Sequence, residues 1–108
     1  MASDLNFMHY VMDQIGTAGV VSWRKMFGEY AVYCDGKVVA LVCDNQFYLK
    51  PTAATKAVLG VVHEAPPYPG AKPYWLLADQ LDDPALMASA VRSTAGELPS
   101  PKPKKRPR

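Results

Sequence analysis

Two tight turns, Asp35-Gly36 and Asp44-Asn45, most constrain what this 108-residue chain can fold into. Each turn is two residues long and lies between runs of β-forming residues, which is typical of β-hairpins. A two-residue turn fixes the pairing register of the strands that it joins, so alternate side chains can be assigned to the two faces of a sheet. The sequence therefore predicts strands at 21–27, 29–34, 37–43 and 46–50.

The register predicted from these turns places one largely apolar set of side chains on a single face. Counting outward from Asp35-Gly36 pairs Cys34 with Lys37, Tyr33 with Val38, Val32 with Val39 and Ala31 with Ala40. We expect the face that forms the core, covered by helices, to contain Ala31, Tyr33, Val38, Ala40, Val42, Phe47 and Leu49.

The opposite face has an unusual composition for a sheet surface in contact with solvent. Its centre is expected to hold Tyr30, Val32, Val39, Leu41 and Tyr48, with Lys and Gln at the margin. A solvated sheet face normally carries more charge, whereas protein interfaces combine an apolar centre with a polar rim. We interpret these five residues as a protein interface, with a homodimer as the expected assembly. The alternatives are cover by the C-terminal segment of the same chain and a ligand site.

Helices are predicted before and after these strands along the sequence. An amphipathic helix at 4–15, with Ser3 at its N-cap, precedes them, and a short helix at 52–59 follows. After a further strand at 74–78, Asp83 and Pro84 begin a final helix that ends at Gly96. The predicted class is α+β: a two-layer fold with an antiparallel sheet of about five strands and helices packed on one face, in the order α-β(4)-α-β-α.

The charge is distributed unevenly along the chain. Residues 1–97 are predicted to form the domain, and 98–108 a disordered basic tail rich in Pro, Lys and Arg. The residues before the tail's first lysine hold seven basic and ten acidic side chains. Non-specific nucleic-acid contact is therefore expected mainly from the tail, with weak contributions from Arg24 and Lys25. A solubilising terminus and a nuclear import signal are the alternatives for the tail. Its five cations are Lys102, Lys104, Lys105, Arg106 and Arg108.

The pattern of reactive residues does not point to catalysis. On the predicted register Cys34 and Cys43 lie about 20 Å apart, beyond disulfide reach. His9 and His63 are separated by the whole predicted sheet, and no phosphate-binding, dinucleotide-binding or hydrolase motif occurs. We expect no catalytic residues, no metal and no cofactor.

The chain has no apolar run of about 18 residues and no secretory signal pattern. Those two features favour a cytoplasmic protein without a membrane partner.

Several segments resemble the N-terminal domain of the TfoX/Sxy family. The resemblance begins with Arg24-Lys-Met-Phe-Gly-Glu-Tyr-x-x-Tyr33-x-Asp-Gly36 and continues with Ala40-Leu-Val and Phe47-Tyr-Leu-Lys50. The later segments Tyr68-x-Gly70-x-Lys-Pro73, Tyr74-Trp75 and Leu81-Asp-Asp-Pro-x-Leu86 fit the same pattern. The resemblance covers roughly residues 4 to 95, and its motifs are mainly structural.

This resemblance implies an α+β domain and a regulatory role. Two-domain members of the family are regulators of natural competence, thought to assist a cyclic-AMP receptor protein at promoters. We expect this chain to be a stand-alone N-terminal domain, without the second helical domain. The expected function is a non-enzymatic interaction domain that is auxiliary to transcription regulation and contacts a transcription factor or another protein. The alternatives are a homodimeric module without a role in DNA transactions and a small-ligand binder.

Overall fold

Residues 4–26 and 29–98 are described by the computed structural model, which confirms the predicted α+β class. The strands form one antiparallel sheet in the order β1-β2-β3-β4-β6-β5, and a short 3₁₀ turn, Asp79–Asp82, precedes the last helix. The helices are α1 (Leu5–Ile15), α2 (Ala53–Leu59) and α3 (Pro84–Glu97). The strands are β1 (Val21–Met26), β2 (Glu29–Cys34), β3 (Lys37–Cys43), β4 (Gln46–Leu49), β5 (His63–Ala65) and β6 (Tyr74–Leu77).

Both tight turns lie where the sequence places them. Asp35 and Gly36 have φ angles of 53° and 83°, and Asp44 and Asn45 have φ angles of 54° and 58°. Two successive positive φ angles are the geometry of a type I′ hairpin turn, whose twist matches that of the flanking strands. The turns therefore fix the first pair of each hairpin as predicted, Cys34 with Lys37 and Cys43 with Gln46.

The predicted register fails after the second pair of the first hairpin. Tyr33 pairs with Val38 as predicted, but Val32 pairs with Ala40 instead of Val39, and Ala31 pairs with Leu41 instead of Ala40. The shift between Val32 and Tyr33 marks a β-bulge, which inserts one extra residue into β3. Successive side chains along a strand point to opposite faces of the sheet. One extra residue in β3 therefore places the β2 side chains on the face opposite to the one predicted from an unbroken ladder. The predicted faces of β2 are therefore wrong.

The hydrophobic core lies between the sheet and the helices. On β3 and β4 the predicted core residues Ala40, Val42, Phe47 and Leu49 belong to it. Ala31, Tyr33 and Val38 do not, and in their place β2 contributes Tyr30, Val32 and Cys34. The helical side of the same core comes from residues of α1 and α3 that are almost fully buried: Met8, Val11, Ile15, Met87, Ala88, Ala90, Val91 and Ala95.

The helix ends follow local signals with two differences. At α3, the Asp83 carboxylate accepts a hydrogen bond from the Leu86 amide at 3.2 Å, and Pro84 is the first helical residue, as predicted. The helix continues one residue past the predicted end at Gly96. At α1, Asp4 occupies the N-cap position without a side-chain cap, and the predicted cap Ser3 lies outside the described residues.

The sequence analysis missed one strand, β5, which is why the sheet has six strands and not the predicted five or so. It is three residues long and pairs along β6, with His63 opposite Leu76 and Ala65 opposite Tyr74. A strand this short has too little alternation to be distinguished from a loop.

Within residues 4–26 and 29–98, no helix combines the length and the apolarity needed to cross a membrane.

Candidate interaction surface

The side of the sheet that faces away from the helices, here called the outer face, carries one continuous row across all six strands. Successive cross-strand pairs join Arg24 to Ala31, Ala31 to Leu41, Leu41 to Tyr48, Tyr48 to Leu76, and Leu76 to His63. We call these six residues the central row. Its two ends are polar and exposed, and its four middle residues are apolar or aromatic.

Burial on the outer face does not come from the helices. Ala31, Cys43 and Tyr48 are 0%, 7% and 6% exposed, yet none of them belongs to the core cluster that contains the helices. Leu41 and Leu76, also in this layer, are half-buried, so part of their apolar surface faces solvent. Half-buried Tyr33 and Val38 extend this patch beyond the central row.

Charged groups lie on both sides of the central row. On one side, Glu29 begins β2 and accepts weak hydrogen bonds from the Asp44 amide, at 3.3 Å to each carboxylate oxygen. On the other side, Lys50 follows β4, and its amide donates to the Val39 carbonyl at 2.8 Å, which continues the ladder. Lys50 is two positions beyond Tyr48, so it belongs to the same face. The outer face is thus acidic on one flank and basic on the other.

The titratable groups at the centre of this surface are held neutral. Burial, together with the nearby Glu29 and Asp44 carboxylates, raises the pKa of Cys43 to about 11. Burial is also the main reason why the pKa of Tyr48 is raised, and the Tyr48 hydroxyl donates to the Gln46 side chain at 2.8 Å. A thiol acts as a nucleophile only as the thiolate, so Cys43 is a poor nucleophile at neutral pH. This arrangement suits recognition better than covalent chemistry.

The second cysteine lies on the opposite side of the sheet. Cys34 is fully buried in the core, and burial is the main cause of its raised pKa, with a further contribution from Asp35. Both cysteines are free, in agreement with the prediction that they do not pair. His9 on α1 and His63 on β5 are exposed. In the described part of the chain, no group of three or more His, Cys, Asp or Glu is placed to hold a metal ion.

The structure divides the five predicted interface residues between the two faces. Leu41 and Tyr48 lie on the outer face, but Tyr30, Val32 and Val39 belong to the core cluster, so these five residues do not form one surface. The bulge in β3 is the physical reason, because it turns the even-numbered residues of β2 toward the helices. Tyr30, for example, contacts Trp23 edge to face, with ring centroids 5.1 Å apart.

Sequence reasoning missed four members of the outer face, namely Ala31, Tyr33, Val38 and Leu76. The sequence did contain a signal for Leu76, since it alternates with Trp75 and Leu77, which are both buried in the core. The other three depend on the bulge.

The predicted nucleic-acid residues are spread along the chain. Arg24 and Lys25 are both exposed on β1, and Arg24 ends the central row. The tail residues Lys102, Lys104, Lys105, Arg106 and Arg108 lie outside the described residues.

Two shallow depressions adjoin the end of β6. One, of about 330 Å³, opens beside the outer face and is lined by residues that include His63, Leu76 and Asp79. The other, of about 210 Å³, lies toward the helices near Phe7 and Leu81. Pockets for small ligands usually have volumes of about 300–1,000 Å³, so these two are at or below the lower limit.

Comparison with known proteins relates this arrangement to a family. A family model, the TfoX N-terminal domain, matches residues 13–97. The chain belongs to the TfoX N-terminal domain family. The match spans all six strands, so the outer face is part of the TfoX N-terminal domain itself. The domain is also similar to an uncharacterized 12.7 kDa protein in the trpE 5′ region of Spirochaeta aurantia. The two are 43% identical over 105 residues, which cover 97% of this chain and 91% of that protein.

Proposed function

We propose that this TfoX N-terminal domain is a non-enzymatic interaction domain. In this proposal it acts in the cytoplasm as an auxiliary of transcription regulation and contacts protein through the outer face. The observation that supports the proposal most directly is the apolar middle of the central row, which remains partly exposed on the side of the sheet without described helices. Partly exposed apolar patches with a polar rim are typical of protein interaction sites.

The chemistry of the outer face supports recognition as its role. Its thiol and phenol groups are neutral at physiological pH, and their raised pKa values favour the neutral forms further. A sheet with fixed register also holds the backbone of Leu41 and Leu76 in place, so little backbone conformational entropy is lost when a partner binds. Membership of the TfoX N-terminal domain family supports the regulatory part of the proposal.

Nucleic-acid contact is a second component, supported by the charge distribution. Five of the twelve basic residues lie in the last seven positions of the chain, which contain no acidic residue. Five cations close together bind phosphates in a manner that weakens steeply with salt. Removal of 99–108 is expected to abolish retention on a DNA column at low salt. Unchanged retention would remove this component and leave an interaction domain that acts without DNA.

The proposal is tested by replacing Leu41 with Asp in the native host. A charge in the central row is expected to reproduce the transcript changes caused by deletion of the gene, because it disrupts the apolar contact. Leu5→Asp is the matched control, since Leu5 is 47% exposed on α1, in the helical layer. If deletion leaves transcripts unchanged, the regulatory role is wrong. If deletion changes them and Leu41→Asp does not, the outer face is not the contact surface.

A further inference from the structure

We infer that the partner on the outer face is a second copy of this chain, related by a two-fold axis that runs along the central row. This inference rests on the proposed function, because it identifies the occupant of the proposed contact surface. In a two-fold interface the same surface faces itself, so the surface has to be self-complementary. The outer face meets this condition in its apolar row and in the opposite charges on its two flanks.

The positions of two charged residues define the geometry. Lys50 is two residues beyond Tyr48, and Asp44 is three residues beyond Leu41, on opposite sides of the central row. Asp44 lies in the turn after β3, and its carboxylate is near enough to the outer-face groups of Cys43 and Tyr48 to contribute to their raised pKa values. At about 3.3 Å per residue, they lie roughly 7 Å and 10 Å from the row, and therefore about 17 Å apart within one copy. Rotation by 180° about the row brings Lys50 of one copy over the Asp44 position of the other, with an offset of about 3 Å along the strands.

The flanking charges select this axis over the other face-to-face arrangement. A two-fold axis parallel to the strands would place each flank over its own equivalent, with Lys50 near Lys50 and the Glu29–Asp44 flank near itself. Like charges across an interface oppose association. An axis along the row instead pairs opposite charges twice in each dimer. It also keeps the strands of the two sheets aligned, as in β-sandwich packing, at a separation of about 10 Å that a lysine side chain can bridge.

The inference is tested by sedimentation equilibrium of the 108-residue chain from low micromolar to several hundred micromolar concentration. We expect a dimer, and we expect Leu41→Asp to be monomeric over this range. Lys50→Glu should raise the dimer dissociation constant about tenfold or more, because each dimer then contains two repulsive carboxylate contacts. Adding Asp44→Asn to Lys50→Glu removes both repulsions and should recover most of the loss.

Asp35→Asn combined with Lys50→Glu is the matched control. Asp35 is also an exposed aspartate in a two-residue turn, and its φ of 53° matches the 54° of Asp44. Asparagine is well tolerated at such left-handed positions, so both double variants should fold, and far-UV circular dichroism checks this. The two double variants have the same net charge, but only the one that changes Asp44 should recover dimerisation.

Three outcomes would overturn the inference: a monomeric wild type, a Lys50→Glu variant that dimerises as the wild type does, or equal recovery by both double variants. Its failure can be distinguished from failure of the proposed function. A monomeric wild type with a Leu41→Asp allele that alters transcripts means that the face contacts a different protein. A dimer that depends on Leu41, without any change in transcripts, leaves the inference intact and contradicts the regulatory role.

Discussion

Two buried threonines that join α2 to α3 give the sharpest prediction about stability. Thr55 and Thr94 are both 0% exposed, and their hydroxyl oxygens lie 2.5 Å apart. The Thr55 hydroxyl also accepts a hydrogen bond from Thr52 at 2.7 Å and lies 3.3 Å from the Ala90 carbonyl. In the described residues, every buried side-chain nitrogen and oxygen has a partner. Removal of one hydroxyl therefore leaves the other without part of its hydrogen bonding.

The expected loss of stability depends on what remains after the substitution. A buried hydroxyl left without its hydrogen-bond partner costs more than the removal of both hydroxyls together. Thr→Val preserves the side-chain shape, so cavity formation contributes little. Thr55→Val leaves the buried Thr94 hydroxyl without this partner, which costs about 1–3 kcal/mol. Thr94→Val should cost about 1 kcal/mol, because Thr55 keeps its other contacts. The double variant removes both hydroxyls and should lose at least about 1 kcal/mol less than the sum of the single losses.

Urea unfolding followed by circular dichroism measures these free energies. For a domain of this size, 1 kcal/mol corresponds to a shift of roughly 4–8 °C in Tm, which a thermal scan can resolve. Thr17→Val is the control, since Thr17 is exposed and its replacement should change stability by no more than about 0.5 kcal/mol. Strictly additive losses in the double variant would refute the reasoning that the two hydroxyls depend on each other.

Three further predictions concern a helix end, a helix start and a thiol. Lys37→Met should destabilise the domain by about 1–2 kcal/mol in urea, because the Lys37 ammonium donates to the terminal carbonyls of Ala95 at 2.7 Å and Leu98 at 3.2 Å; an unchanged midpoint would contradict this. Asp83→Ala should cost about 1 kcal/mol through loss of the α3 cap, measured in the same way, and a loss below about 0.3 kcal/mol would argue against the cap. The pKa of Cys43 is raised from 9.0 to about 11, so the neutral thiol is favoured in the folded state. The resulting contribution to the free energy of unfolding is present below pH 9 and is lost as the pH rises toward 11. Wild-type stability should accordingly fall more steeply than that of Cys43→Ala over pH 9–11, and parallel curves would show that the thiol does not contribute.

Local signals determined much of the fold. The tight turns at Asp35-Gly36 and Asp44-Asn45 and the start of α3 at Pro84 were predictable, because each depends on residues next to one another in the sequence. The faces of β3 beyond the bulge and of β4 were also correct. The candidate surface was predicted only in part, through Leu41 and Tyr48.

The face of β2 could not be derived from its sequence. Tyr30, Val32 and Cys34 alternate with Ala31 and Tyr33, and both sets are apolar or aromatic, so alternation alone favours neither face. Counting from the turn assumed an unbroken ladder, and a bulge violates that assumption without a distinctive residue to signal it.

The sequence by itself determined where this chain makes its two tight turns, where α3 begins, and which side chains of β4 and of β3 beyond the bulge meet the helices. Only the tertiary structure decided which side of β2 meets the helices, because that choice depends on how α1 and α3 pack against the whole sheet. The bulge at β3 allows Val32 to enter the core while Leu41 stays on the outer face. Packing between distant segments thus selected one of two registers that local physical chemistry left nearly equivalent.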